Sequence, residues 1–505
     1  MVIKIRKVDY MADANTFESK IFPTKEINIG GEIETVVPGG RNLFEQLPKS
    51  FKGIKQIGVI GWSSQAPAQA QNLRDSLDGT DIKVVVGLRN NSHSIPSAEA
   101  AGFNSKNGTL GEMYKVISES DLTLLLIADG AQVDNWEKIS EAMKPGSCLG
   151  LSHGFLVGYL KSIGKKFRTD IDIIGVCPKG MGPSVRRLYE QGRTINGAGI
   201  NNSFAVQQDY TGNAREIALG WSVGLGAPFT FQTTLEKEYR SDIFGERAIL
   251  LGAVHGIVEV LYRYFRDSDM SDEEAYLQSV ESITGPISHT ISKLGLNGVY
   301  SGLSDDKKEI FDRTYSATYF PMQKLMAEMY DEISSGRELG GVVDANHRME
   351  QYPMAEITNT PMWKTGEKVR SDTGKRSKVG VNPVTAGVYI AGMMAQVDLL
   401  RSKGHAWSEI ANESIIEAVD SLNPYMAARG VAYMIDNCST TARLGARKWG
   451  PQFDHRIMQE AIPKFGDPFT AEDKDRVDDF REHTIHSVME TVGKLRPSVD
   501  ISVAA

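Results

Sequence analysis

The sequence predicts an α/β domain built on a doubly wound parallel sheet, followed by an all-helical domain. Two patterns predict it. Short runs of consecutive apolar residues at 56–61, 83–88, 122–128, 147–151 and 171–177 alternate with helix-length segments and end in Gly, Ser, Asp or Pro. Runs apolar on both faces, separated by about 20 to 28 residues, belong in a parallel sheet covered by helices on each side. Beyond about residue 235 the strand signal stops and i, i+3, i+4 apolar spacing takes over, as at 243–264, 273–292 and 386–401, the signature of packed helices. Taken in order, residues 1–45 lack helical periodicity, hold the pairs Gly30-Gly31 and Gly39-Gly40, and read as an extended arm packing at an edge. Residues 46–235 form the sheet domain and 236–505 the helical one.

With 505 residues, 56 basic against 64 acidic side chains and a net charge of -8, the chain has enough length for several domains, and its charge argues against a nucleic-acid or anionic-membrane surface as its main partner. A small-molecule substrate is favoured. Cys148, Cys177 and Cys438 are odd in number and far apart, which suits buried thiols in a reducing compartment rather than a disulfide framework. No stretch approaches the ~18 uninterrupted apolar residues of a membrane span. Asp9, Asp13 and Glu18 make the start too acidic for a transit peptide, so a cytoplasmic location is expected, with the plastid stroma as the alternative if a transit peptide has been removed. Six Lys/Arg and two acids between Lys364 and Lys378 read as a solvated connecting loop.

The first strand runs into Gly61-Trp-Ser-Ser-Gln65-Ala66 and then a helix-forming segment. Small residues at such a turn let the backbone approach a pyrophosphate, whose charge rests on the amides at the helix start. Gly61, Ser63, Ser64 and Gln65 are therefore candidate cofactor contacts, although Ser and Ala occupy the second and third glycine places of the usual G-x-G-x-x-G. The second strand ends in Arg89, not in the Asp or Glu that would bind ribose hydroxyls, and continues to Ser92 and Ser94. A guanidinium with two hydroxyls suits a 2'-phosphate, which favours NADPH over NADH.

Asp242 and Glu246, and again Glu413 and Glu417, stand four residues apart in helical sequence. Each pair places two carboxylates on one helix face, where they repel one another unless a cation lies between them. Oxygen ligands without a Cys/His cluster suit Mg²⁺; a solvated helix face remains the alternative for either pair alone. His153 and Lys179 follow apolar strands directly, so both point towards the crevice at the strand C-termini.

Several longer strings carry a family resemblance: Ile57-Gly-Val-Ile-Gly-Trp62, Leu151-Ser-His-Gly-Phe155, Val176-Cys-Pro-Lys-Gly-Met-Gly-Pro183, Ser241-Asp-Ile-Phe-Gly-Glu-Arg-Ala248, Asp436-Asn-Cys-Ser-Thr-Thr-Ala-Arg443 and Leu495-Arg-Pro-Ser-Val-Asp-Ile-Ser502. Together they resemble ketol-acid reductoisomerase, also called acetohydroxyacid isomeroreductase, in its long plant-type class, over roughly residues 15 to 505. The resemblance implies a Rossmann-type domain followed by an all-α, internally duplicated and knotted domain, assembled as a homodimer or homotetramer. It implies a Mg²⁺-dependent alkyl migration in 2-acetolactate or 2-aceto-2-hydroxybutyrate, then reduction by NADPH, in valine, leucine and isoleucine biosynthesis. It further implies two Mg²⁺ ions on Asp242, Glu246, Glu413 and Glu417, Ser439 on the substrate carboxylate, His153 and Lys179 in the polar network, and Glu417 as general base with Glu246 as the alternative. Ser63 and Ala66 depart from the Gly-Trp-Gly-Ser-Gln-Gly usual in the plant enzymes, which bears on how closely the pyrophosphate packs. Competing readings are another NADP-dependent hydroxyacid dehydrogenase with a helical C-terminal domain, which needs no paired acids on distant helices, and a non-enzymatic NADP(H)-sensing protein.

Overall fold

The computed structural model describes residues 15–349 and 351–503; the start of the arm reading, residues 1–14, lies outside them. Among the described residues ten strands form one sheet. In chain order these are β1 (Lys25–Ile29), β2 (Glu32–Pro38), β3 (Gln56–Ile60), β4 (Lys83–Leu88), β5 (Leu110–Glu112), β6 (Leu122–Leu125), β7 (Cys148–Leu151), β8 (Asp172–Pro178), β9 (Asn202–Gln208) and β10 (Phe229–Gln232). Their spatial order is β1-β2-β10-β9-β8-β7-β6-β3-β4-β5. All five apolar runs are strands, and β3 through β8 run parallel.

Their side chains alternate between two cores. Val84, Val86, Ile174 and Val176 enter one, and Val85 and Ile173 the other, which is why both faces read as apolar in sequence. The sheet is not parallel throughout. β9 runs antiparallel to β8 with a bulge near Ile173/Ile174, and β10 joins it in parallel. The hairpin β1–β2 closes that edge through antiparallel pairing of β2 with β10. Chain progression reverses at β3, flanked by β4 on one side and β6 on the other. That reversal opens a crevice beyond the strand C-termini, the usual ligand position in such sheets.

The remainder is helical. Pro383–Ser402 packs along Asp305–Ser334 in the largest core. It is long and apolar enough by composition to cross a membrane, as is the stretch Leu235–Asp267, which the helices Leu235–Arg247 and Gly252–Asp267 share, but 83% and 78% of their apolar windows are buried within the protein. A helix apolar on every side here is one surrounded by other helices.

One set of features occurs twice in this half at a constant separation in sequence. Two π-helical turns, Leu277–Glu281 and Ile283–Ile287, are followed by Gly295 at φ +70 and by Ser304 heading the helix Asp305–Ser334. Likewise Asn412–Ile416 and Ala418–Leu422 are followed by Gly430 at φ +100 and by Ser439 heading Thr440–Arg456.

The two halves are also laced together at their ends. On β2, the Glu34 carboxylate accepts from the Ser408 amide at 3.2 Å, while Glu32 pairs with Arg401. At the other end, Arg187 donates to the carbonyls of Asp500, Ile501 and Ser502 at 2.8, 2.9 and 2.8 Å. Val499 packs beside Ala68, Val185, Leu188 and Ile200 of the sheet domain.

Candidate active site

The helix Leu235–Arg247 starts at Thr234, whose hydroxyl accepts from the Lys237 amide. On it Glu238, Asp242 and Glu246 recur every fourth residue and so share one face. The second acid pair lies on the helical run through Asn412–Ile416 and Ala418–Leu422, where π-helical turns widen the spacing; such turns concentrate at functional sites. The two runs meet. Carboxylate oxygens of Glu238, Asp242 and Glu413 lie within 4.8 Å of one another.

Two strand ends project into this acidic group. Lys179, after β8, is buried with its Nζ 3.6 Å from Glu238 Oε1 and paired with Glu413 Oε1. His153, after β7, has Nε2 3.0 Å from Asp242 Oδ2 and Nδ1 3.5 Å from Asp129 Oδ1. From the far side, Ser439 Oγ donates to Glu246 Oε1 at 3.4 Å while accepting from the Ala442 amide at 3.1 Å. Thus Asp242, Glu246, Glu413, Glu417, His153, Lys179 and Ser439 converge in one cluster, whereas Arg89, Ser92 and Ser94 form a separate group at the end of β4.

So many buried carboxylates disturb one another's protonation. Burial, reinforced by Asp242, raises Glu246 to about 8. Burial and Asp242 raise Glu413 to about 8 even though Lys179 opposes them. Glu417 is pushed well above the usual carboxylate range by burial, then by Glu413 and Asp242. Burial would raise Asp242 too, but His153, Lys179 and Arg247 together lower it. Desolvation would lower His153 and Lys179; instead Asp129 and Asp242 hold the imidazole, and Glu413 and Glu238 hold the ammonium, well above their ordinary values. Glu413 Oε2 and Glu417 Oε2 are buried without a hydrogen-bond partner. Orphaned carboxyl oxygens in an all-oxygen donor set fit a hard divalent cation, which would favour their ionised forms and relieve the repulsion.

The glycine turn after β3 lies at the same C-terminal end of the sheet. Gly61 follows β3 at φ +108, and a Cβ there would meet the Leu126 carbonyl at 2.7 Å, so only glycine fits. Ser64 follows at φ 30, in left-handed backbone that is costly for serine. Gln65 precedes the helix Ala66–Ser76 and donates from Nε2 to the Gly180 carbonyl at 2.8 Å, tying the turn to the Lys179 loop. Gly182 closes that junction, since a Cβ on it would meet the Ser64 carbonyl at 1.9 Å. Arg89 is exposed, and the Ser92 amide donates to its carbonyl at 3.0 Å.

Comparison with known proteins agrees with this geometry. Residues 52–229 match the family profile of the acetohydroxy acid isomeroreductase NADPH-binding domain, and residues 235–374 that of the ketol-acid reductoisomerase C-terminal domain. The chain belongs to the ketol-acid reductoisomerase family. Family membership makes it an enzyme that joins an isomerisation to a reduction by a nicotinamide cofactor, in branched-chain amino-acid biosynthesis. It is 56% identical over 499 residues to the chloroplastic ketol-acid reductoisomerase of Spinacia oleracea, covering 97% of this chain and 83% of that protein. To the chloroplastic ketol-acid reductoisomerase of Pisum sativum it is 55% identical, covering 97% and 85%. An NADH-preferring ketol-acid reductoisomerase from an uncultured archean shares the fold, with a TM-score of 0.53 at 23% identity over 63% of this chain and 94% of that one.

Sequence reading missed three acids in this ketol-acid reductoisomerase pocket. Glu238 extends the four-residue acid spacing back by one turn, a usable signal masked by Lys237 and Arg240 beside it. Glu409 extends the second pair back by one turn in the same way, whereas Asp129 carries no local signal, its partner Thr441 being remote in sequence.

Proposed function

We propose that this ketol-acid reductoisomerase holds two Mg²⁺ ions on Asp242, Glu246, Glu413 and Glu417, with Glu238 supporting them, and uses NADPH to convert 2-acetolactate or 2-aceto-2-hydroxybutyrate to the 2,3-dihydroxy-3-alkyl acid. The observation carrying this is the meeting of two distant acidic helices, with unpartnered buried oxygens, at the strand ends of the cofactor domain. When bound, magnesium supplies positive charge where the substrate's oxygens become negative, and NADPH supplies the hydride.

The chain's own residues do the rest. Burial and its acidic neighbours push Glu417 towards its protonated form; ionised once bound cations offset that repulsion, it would be the base that takes the tertiary hydroxyl's proton and frees the alkyl group to migrate. Lys179, kept cationic by Glu413 and Glu238, holds those carboxylates in place and offers a donor to the migrating centre's oxygen. His153 orients the network beside Asp242, and Ser439 donates to the substrate carboxylate. Gly61, Ser63, Ser64 and Gln65 hold the pyrophosphate and nicotinamide side of the cofactor; Arg89, Ser92 and Ser94 take the 2'-phosphate.

A homodimer or homotetramer is the expected assembly. The chloroplastic names of the two plant relatives support the plastid stroma over the cytoplasm, a choice that a fluorescent fusion in the source cell decides. Following NADPH absorbance with acetolactate, with and without Mg²⁺, tests the activity: turnover is expected only with the metal, and turnover in excess chelator would refute the two-metal reading.

A further inference from the structure

Asp129 opens the helix Asp129–Ala142 immediately beyond β6, where a carboxylate is favoured by the helix dipole. Its side chain is nonetheless turned away from the helix and into the domain boundary. One oxygen, Oδ1, faces His153 Nδ1 at 3.5 Å, and the other, Oδ2, accepts from Thr441 Oγ1 at 2.5 Å. Thr441 is buried, two residues past Ser439, in the first turn of the helix Thr440–Arg456. Its carbonyl accepts from the buried Arg247, which also pairs with Glu246 and Glu338.

We propose that Asp129 is a positioning residue that sets both ends of the substrate site from one carboxylate. Through Thr441 it fixes the helix turn that presents Ser439, and through Nδ1 it fixes the imidazole so that Nε2 faces Asp242. A carboxylate behind a histidine commonly determines ring orientation in this way. The bond to Thr441 is charge-assisted and partly buried, so losing it costs more than losing a surface contact. The inference rests on the reading that Ser439 and His153 serve the substrate, and it assigns Asp129 no contact with substrate, metal or cofactor.

The test uses the Mg²⁺- and NADPH-loaded enzyme and the variants T441V, T441S, D129N and S439A. Turnover is measured together with calorimetric affinity for the dihydroxy acid product, NADPH affinity by fluorescence, and Tm. T441V, which keeps the side-chain shape and loses the hydroxyl, is expected to raise KM and weaken product binding about tenfold, with kcat within about twofold and NADPH affinity unchanged. T441S restores wild-type values. D129N, which also disturbs His153, lowers kcat on the order of tenfold as well. The positioning role of Asp129 is overturned if T441V matches wild type while S439A has raised KM, if T441S is as impaired as T441V, or if KM rises only alongside a matching fall in NADPH affinity and Tm. A wild-type KM in S439A overturns the assignment of Ser439 to substrate, and the positioning role of Asp129 with it.

Discussion

Ser241 Oγ donates to Glu409 Oε1 at 2.6 Å, joining the helix that bears Asp242 and Glu246 to the one that bears Glu413 and Glu417. Both residues are buried; Glu409 also accepts from Thr233 Oγ1 at 3.2 Å and faces His405 Nδ1 at 3.5 Å, and His405 Nε2 meets the Tyr330 hydroxyl at 2.8 Å. This pairing sets the register of the two acidic helices from behind the pocket.

Removing the hydroxyl leaves a buried carboxylate short of a donor. S241A is therefore expected to lose about 1–3 kcal/mol of stability and to bind Mg²⁺ more weakly, measurable by denaturant titration and calorimetry. Burial alone would raise Glu409, but His405 and Ser241 hold it down from 4.5 to about 2. A depressed carboxylate stabilises the fold above its unfolded value, and that contribution disappears as pH falls from 4.5 towards about 2. In E409Q the stability curve should be flatter over that interval.

Glu246 and Glu413 have the opposite sign. Raised from 4.5 to about 8 without a cation, they bind more protons when folded than when unfolded, so the metal-free protein should lose stability as pH climbs through that window. Mg²⁺ requires the ionised forms, so its affinity should rise with pH up to about 8 and its binding should release protons. Calorimetry in buffers of differing ionisation enthalpy measures that release.

Glu417→Gln removes the proposed base while preserving size. We expect NADPH binding to be retained and isomerisation to fall by at least about 10²-fold, the low end of general-base contributions, while reduction of a simple 2-keto acid continues. Wild-type turnover of acetolactate by this variant would move the role of base to Glu246.

Arg89→Glu places a negative charge where the 2'-phosphate would lie. Preference should shift from NADPH towards NADH by at least about tenfold in kcat/KM ratio, from the loss of a charge-assisted contact and the added repulsion. Unaltered preference in steady-state kinetics would exclude Arg89 from the phosphate site.

The parts of this architecture visible in sequence are those whose neighbours lie on both faces. β3, β4, β6, β7 and β8 are continuous apolar runs because helices cover the sheet twice. β9 and the hairpin β1–β2 run antiparallel and carry polar residues such as Gln207 and Glu34, so the same criterion passes over them. Asp242/Glu246 and Glu413/Glu417 stood out because like charges four apart demand a reason. The π-helical turns did not, since hydrogen-bond pattern rather than residue type defines them. Glu238 and Glu409 continue the same four-residue spacing by one turn, whereas Asp129 acquires meaning only from side chains brought up from distant segments, which periodicity does not register.

The lacing of the two halves has a consequence for how the molecule comes apart. The hairpin rests on the helical half through Glu32 and Glu34, while the C-terminal segment returns to the sheet domain at Arg187. Each half thus borrows its outermost piece of chain from the other, and neither is complete if cut at the boundary. Heat should therefore melt the whole protein in one cooperative transition, and a calorimetric trace with two resolved peaks would be unexpected.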